Sequence, residues 1–217
     1  VTVATLVPLS PPSDEQRLAQ FGLSTELIHM GMRPGLTRAA NRTSLALRST
    51  PGTDIYHDGM EQLNRLLVER GWDLVYIDHQ PRLLHPDRIM AFTIASGVDV
   101  ANPDRRKQPY TRRKGDATRS SLDQSGNKTA SLFEVPDIVQ EKKLVAATEA
   151  APLWLLIHER TERGMNLELS RPAVMTESGR ITDWSDRILI KFLDLDGDLT
   201  VFDHSDDGDI DVNVEPL

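Results

Sequence analysis

Seven cationic side chains, Arg105, Arg106, Lys107, Arg112, Arg113, Lys114 and Arg119, fall between residues 104 and 121, where only Asp104 and Asp116 oppose them. Guanidinium forks at this density suit phosphate or carboxylate oxygens, Thr111 and Thr118 add hydroxyl donors, and Tyr110 offers a ring on which a base can stack. Pro103 and Pro109 oppose helix and Gly115 lets the backbone approach a ligand, so the stretch reads as an exposed, extended anion-binding loop. A second cationic group, Arg33, Arg38, Arg42 and Arg48, lies in residues 27–53, which hold no acid. No base-reading motif accompanies either group. The binding expected is therefore electrostatic and weakly sequence-specific, with nucleic acid as first candidate ligand and an acidic protein partner as second.

Other chemistries have fewer of their parts. The chain has no cysteine, which removes disulfides, thiolate metal sites and a cysteine nucleophile, and fits a reducing compartment. Six histidines are scattered without a helical His-x3-His pair, and neither a serine elbow nor a phosphate-loop motif occurs. Asp78-His79 with His85 and Asp87, or His158 with Glu159, are what a metal-dependent hydrolase would draw on, but turn and surface roles are the simpler reading. Asp194, Asp196, Asp198 and Asp203 around Gly197 resemble part of a calcium loop without its distal glutamate, and alternating Leu193, Leu195, Leu199 and Val201 favour a β-turn between acidic strands. No catalytic residue, metal or cofactor is assigned, and a binding protein is favoured over an enzyme.

The net charge of −8 over 217 residues conceals a segregation. Residues 104–121 carry a net +5 and residues 27–53 a net +4, whereas residues 194–217 carry −9 with no lysine or arginine. Such a tail can act as a tethered competitor of a polyanion for the basic loop. Arginine outnumbers lysine 19 to 6, which reads first as the codon bias of a high-GC bacterium and second as a preference for bidentate phosphate contacts. The longest strongly apolar run, Leu153 to Ile157, is far too short to span a membrane, and the opening Val1 to Pro12 lacks a basic start and a useful apolar run. A cytoplasmic location with no membrane contact is the expectation.

The elements that must position these charges follow from caps and periodicity. Ser13 with Gln16 forms a capping-box pattern for a short helix ending at Gly22; Ser24 caps a second, which Gly31 and Pro34-Gly35 are expected to stop. A third helix is expected over Leu36 to Leu47, a connecting loop over Ser49 to His57, and a fourth helix from Asp58 to Gly71. The phrase from Leu18 to Ser24 has the outline of a helix-turn-helix turn, but its Ala19–Gly22 spacing is one residue short, so packing of two helices is the better reading. Strands are expected over Leu74 to Ile77, Arg88 to Ala95, Leu153 to His158, Asn166 to Ser170 and Ile181 to Leu193, and a helix from Pro136 to Glu149. On the last strand Ile188, Ile190 and Phe192 should share one face, with Leu189 and Leu193 opposite. These elements predict an α+β fold: short N-terminal helices (13–72), a mainly antiparallel core with covering helices at one end (73–202) that includes the long basic loop (97–129), and an acidic C-terminal tail (203–217), all in one unit.

Pro109 to Arg119, together with Glu168-Leu169-Ser170, Pro172, Gly179-Arg180-Ile181, Trp184-Ser185 and Arg187-Ile188, resembles a group of bacterial intracellular proteins from genomes rich in mobile elements. The resemblance spans residues 50–195. It implies a bacterial intracellular setting and assigns no activity or catalytic residue.

Overall fold

Helix α1 (Asp14–Ala19) begins at a complete capping box, in which Ser13 Oγ accepts from the Gln16 amide and Gln16 Oε1 accepts from the Ser13 amide. These positions come from a computed structural model, which describes residues 11–104, 106–115, 118–119, 122 and 136–195, the side chains of 136–140 excepted. The expected calcium-like turn beyond Leu195, the tail 203–217 and much of the loop 97–129 lie outside the described residues. Gly22, at φ 65°, reverses the chain, and Ser24 Oγ accepts from the Leu27 amide to start α2 (Thr25–Ala40).

Helix α2 does not stop at Pro34. Pro34 cannot donate to the Met30 carbonyl, but that turn faces solvent, where water replaces the missing partner. Gly31 and Gly35, read from sequence as breakers, face helix α3 (Thr50–Val68) instead. A Cβ on Gly31 would lie 2.4 Å from Leu63 Cδ2, and one on Gly35 only 2.8 Å from Ile55 Cα, so Gly31 receives the Leu63 side chain and at Gly35 the two backbones pack directly. The expected third helix is absent: residues 41–49 form turns after α2, and α3 begins at Thr50 rather than Asp58. Pro51 sits in its first turn, where the absent N–H costs nothing.

The strands are β1 (Asp73–Ile77), β2 (Gln80–Leu84), β3 (Ala91–Val98), β4 (Tyr110–Thr111), β5 (Leu153–Arg160), β6 (Gly164–Met175) and β7 (Ile181–Asp194), with helix α4 (Pro136–Ala150) before β5. They form one sheet in the order β1-β2-β3-β5-β6-β7, with β4 paired to β3 through Gly97↔Thr111. All pairs are antiparallel except β3 with β5, which run parallel, so the α+β sheet is mixed though mostly antiparallel. Chain reversal between β1 and β2 falls on Asp78 and His79, both at positive φ as a two-residue hairpin of the primed type requires.

Helices lie on both faces rather than at one end. Leu27, Met32, Leu63 and Leu67 pack with Phe92, Leu156, Leu169 and Ile188 on one face, so residues 13–72 share a core with the strands. On the other face Leu144 and Val145 of α4 cover Val75, Leu84 and Ala91. The remainder of that face, around Leu155, Ile157, Ile181 and Trp184, is covered by the chain between β3 and β4 through Val100 and Pro109, whose carbonyl accepts from Trp184 Nε1 at 3.1 Å. With both faces covered, β5 is a continuous buried apolar run instead of an alternating one. Opposite Asn166, β7 carries one extra residue between Ile190, paired to Leu167, and Leu193, paired to Met165. This bulge inverts the expected faces: Leu193 is 0% exposed in the helical core and Phe192 is 41% exposed.

Candidate anion-binding cleft

Parallel strands β3 and β5 end side by side, with Ser96 paired to His158. Crevices outside the carboxyl ends of parallel strands are common ligand sites, because loops diverge there while the strands fix their bases. Here a cleft of about 390 Å³ opens between these strand ends, the first turns of α3 and the chain following β4. Ile94, Ser96 and His158 form its floor, Ser49, Gly52, Thr53, Tyr56 and His57 one wall, and Gln80, Arg112 and Lys114 the other, with Arg48 just before α3. Among the described residues three cations line it and no carboxylate does.

Each wall reinforces the positive potential. The 19-residue α3 points its N-terminus at the cleft; the Thr50 and Thr53 amides donate to the Leu47 and Ser49 carbonyls and Pro51 has no N–H, so the helix end contributes mainly through its dipole. Lys114 is held by its own backbone: its amide donates to the Gly179 carbonyl at 2.7 Å, in the turn between β6 and β7. Burial lowers the Lys114 pKa from 10.5 to about 8. His158 is 4% exposed and its Nδ1 has no hydrogen-bond partner. Burial first, then the Lys114 charge, lowers its pKa to about 4, so it is neutral at physiological pH and can donate or accept according to tautomer.

The sequence candidates separate into three groups. The fold brings Arg48, Arg112 and Lys114 together in the cleft. Arg106, Lys107 and Arg113 are exposed on the same stretch of chain, and no carboxylate among the described residues pairs with them. The remainder are engaged elsewhere. Arg119 donates to the Glu177 carbonyl, and the Tyr110 ring lies under the Arg180 guanidinium at 5.7 Å. Arg33 donates to the Asp194 carbonyl, Arg38 pairs with Asp58 at 3.0 Å, and Arg42 grips Asp54 with two bonds of 2.8 Å. That fork holds the Asp54 carboxyl below its ordinary pKa and ties the end of α2 to α3. Arg105 lies outside the described residues.

The stretch expected to be an exposed loop is pinned for much of its described length. Glu159 accepts from the Asp99 and Val100 amides, and Glu168 from the Ala101 amide at 2.7 Å. Arg187, paired with Glu168, donates to the Lys107 carbonyl at 2.9 Å. The metal-ligand alternatives do not converge. His85 packs edge-on against Trp72 and accepts from the Asp87 amide, Asp78 and His79 make the hairpin turn, and His158 sits in the cleft. Among the described residues no three histidine or acidic side chains are placed to share a metal ion, and no helix is long and apolar enough to cross a membrane. No family model, curated protein or solved structure matches the chain.

Gly179 gives a test of how Lys114 is positioned. It lies at φ 80°, and a Cβ there would sit 2.3 Å from the Lys114 carbonyl oxygen. Gly179→Ala should cost about 1–3 kcal/mol from the left-handed backbone and displace Lys114 from the cleft. Thermal melting and anion titration of the variant should show both losses; an unchanged affinity would mean that Lys114 needs no such support.

Proposed function

We propose that the protein binds nucleic acid as a polyanion, seating phosphate in the cleft between β3, β5 and α3 and steering it there with the neighbouring Arg106, Lys107 and Arg113. The observation that carries this reading is a cleft whose described lining holds three cations and no carboxylate, in a chain of net charge −8. An acidic protein partner would use the same charges, but it would not need a concave floor with a neutral histidine. A floor of that kind suits a small anionic group that enters and is hydrogen-bonded from several sides.

Binding should weaken steeply with salt, log K falling with a slope of about −0.7 to −0.9 per phosphate contact. Replacing Arg112, Arg113 and Lys114 together with alanine should flatten that slope by about two units without lowering the melting temperature, since the exposed arginines add little stability and the buried Lys114 charge disfavours the fold. Salt-independent binding, or binding only to acidic polypeptides, would replace this reading with the protein-partner one.

The lowered Lys114 pKa sets a pH dependence. In the free protein Lys114 loses its proton as pH rises through about 8, so affinity for an anion should fall above that pH. The sign for stability is opposite: with the folded pKa below the ordinary 10.5, the unfolded chain binds the extra proton between them. The buried charge therefore disfavours the fold below about pH 8, and that penalty is relieved as pH rises toward 10.5. A bound phosphate reverses the shift, so complex formation at pH 8 should take up about half a proton per site. Calorimetry in two buffers of different ionisation enthalpy measures this uptake, and its absence would place Lys114 away from the anion.

A further inference from the structure

The cleft has two lobes of different charge. The described lining of the inner lobe contains Arg48, Arg112 and Lys114 and no acid. An outer lobe of about 510 Å³ shares Arg48, Gly52, Ser96 and His158 with it and runs out to Arg160 and Glu162. Glu162 is the only carboxylate on either lining among the described residues.

We propose that the inner lobe seats a terminal phosphate monoester, carried by a mononucleotide or by the end of a nucleic-acid strand, with the rest of the nucleotide leaving through the outer lobe. This rests on the nucleic-acid reading above and narrows it to one chemical group. Three features distinguish a monoester from an internal diester. A monoester carries close to two negative charges at neutral pH where a diester carries one, and the inner lobe supplies three cations and the positive end of α3. The outer lobe offsets its Arg160 with Glu162, so the larger positive surplus lies in the inner lobe, where a terminal dianion is favoured and from which uncharged sugar and base can lead outward. The floor is the third feature: His158, 4% exposed and neutral, lines both lobes without adding charge, so the cations of the inner walls alone set where the dianion sits. Tyr56 and Ile94 add an apolar wall, and the cavity falls in the usual small-ligand range of about 300–1,000 Å³.

The test is fluorescence anisotropy of the full chain with short single-stranded oligonucleotides bearing a 5′-phosphate, a 3′-phosphate or neither, with adenosine monophosphate and adenosine as competitors. A terminal phosphate should tighten binding about tenfold or more, and adenosine monophosphate, but not adenosine, should displace the labelled strand. Competition by the mononucleotide as strong as that of the strand end identifies the free nucleotide as the ligand; much weaker competition identifies the strand end. Equal, salt-sensitive binding of all three strands without competition overturns the monoester seat and leaves the nucleic-acid reading standing. Binding of adenosine monophosphate without binding of any strand does the reverse, and binding of nothing overturns both. Gly52→Asp is the control variant, because a Cβ at Gly52 meets nothing within 4 Å and an acid suits the first turn of a helix. It should keep the wild-type melt and lose the preference for the phosphorylated end; a retained preference places the phosphate elsewhere.

Discussion

Glu168→Ala should lower the stability of the fold by about 3–5 kcal/mol, the usual cost of removing one partner from a buried ion pair. Glu168 is 0% exposed and accepts from Arg187 Nε and Nη2 at 3.1 and 2.7 Å, from Ser170 Oγ at 2.6 Å and from the Ala101 amide. Deleting the carboxylate strands a guanidinium in the interior and frees the chain that covers the second face of the sheet. Two readouts follow: a shift of the chemical-denaturation midpoint, and new protease cleavage within residues 99–107. Replacing both Glu168 and Arg187 with methionine should recover much of the loss, because neither charge is then left uncompensated. A single variant within about 1 kcal/mol of wild type would show that water reaches this pair and that the cover is held by packing alone.

Gly35→Val should be the most damaging change among the helices. The added Cβ meets backbone, Ile55 Cα at 2.8 Å and the Asp54 carbonyl at 3.0 Å, and backbone of a packed helix cannot turn aside as a side chain can. Forcing α2 and α3 apart should cost about 1–3 kcal/mol for the overpacking, with the two valine methyls adding to it. The same movement loosens the Arg42 fork on Asp54 and shifts the first turn of α3, so anion affinity should fall along with the melting temperature. Gly52→Ala, seventeen positions on in open space, is the matched comparison and should be neutral or slightly stabilising. If the Gly35 variant melts like wild type, α2 and α3 have more freedom to separate than their contact implies.

Local chemistry in the sequence determined the starts and types of most elements. The Ser13–Gln16 box and the Ser24 cap each answer orphan amides within three residues, and the apolar runs at Leu153 and Ile188 need no distant partner to read as strands. The Arg112–Lys114 group and Arg48 were legible in the sequence as members of cationic clusters, because clustered charge is a property of composition. Tertiary structure decided what local rules could not. Gly31, Pro34 and Gly35 break an isolated helix, but the close approach of α3 and an exposed turn remove both objections. The bulge before Leu193 inverts a period-two pattern through one extra residue that only the partner strand reveals. Parallel pairing of β3 with β5, across a crossover of more than fifty residues from Asp99 to Pro152, created the crevice and turned His158 from a scattered histidine into its floor. Tertiary packing also sorted the arginines: those whose neighbours in space are Asp54, Asp58 or a main-chain carbonyl became ties, whereas Arg48 and Arg112 line the cleft. Charge clustering is written in sequence, but which charges remain unpaired depends on the acids that folding brings near.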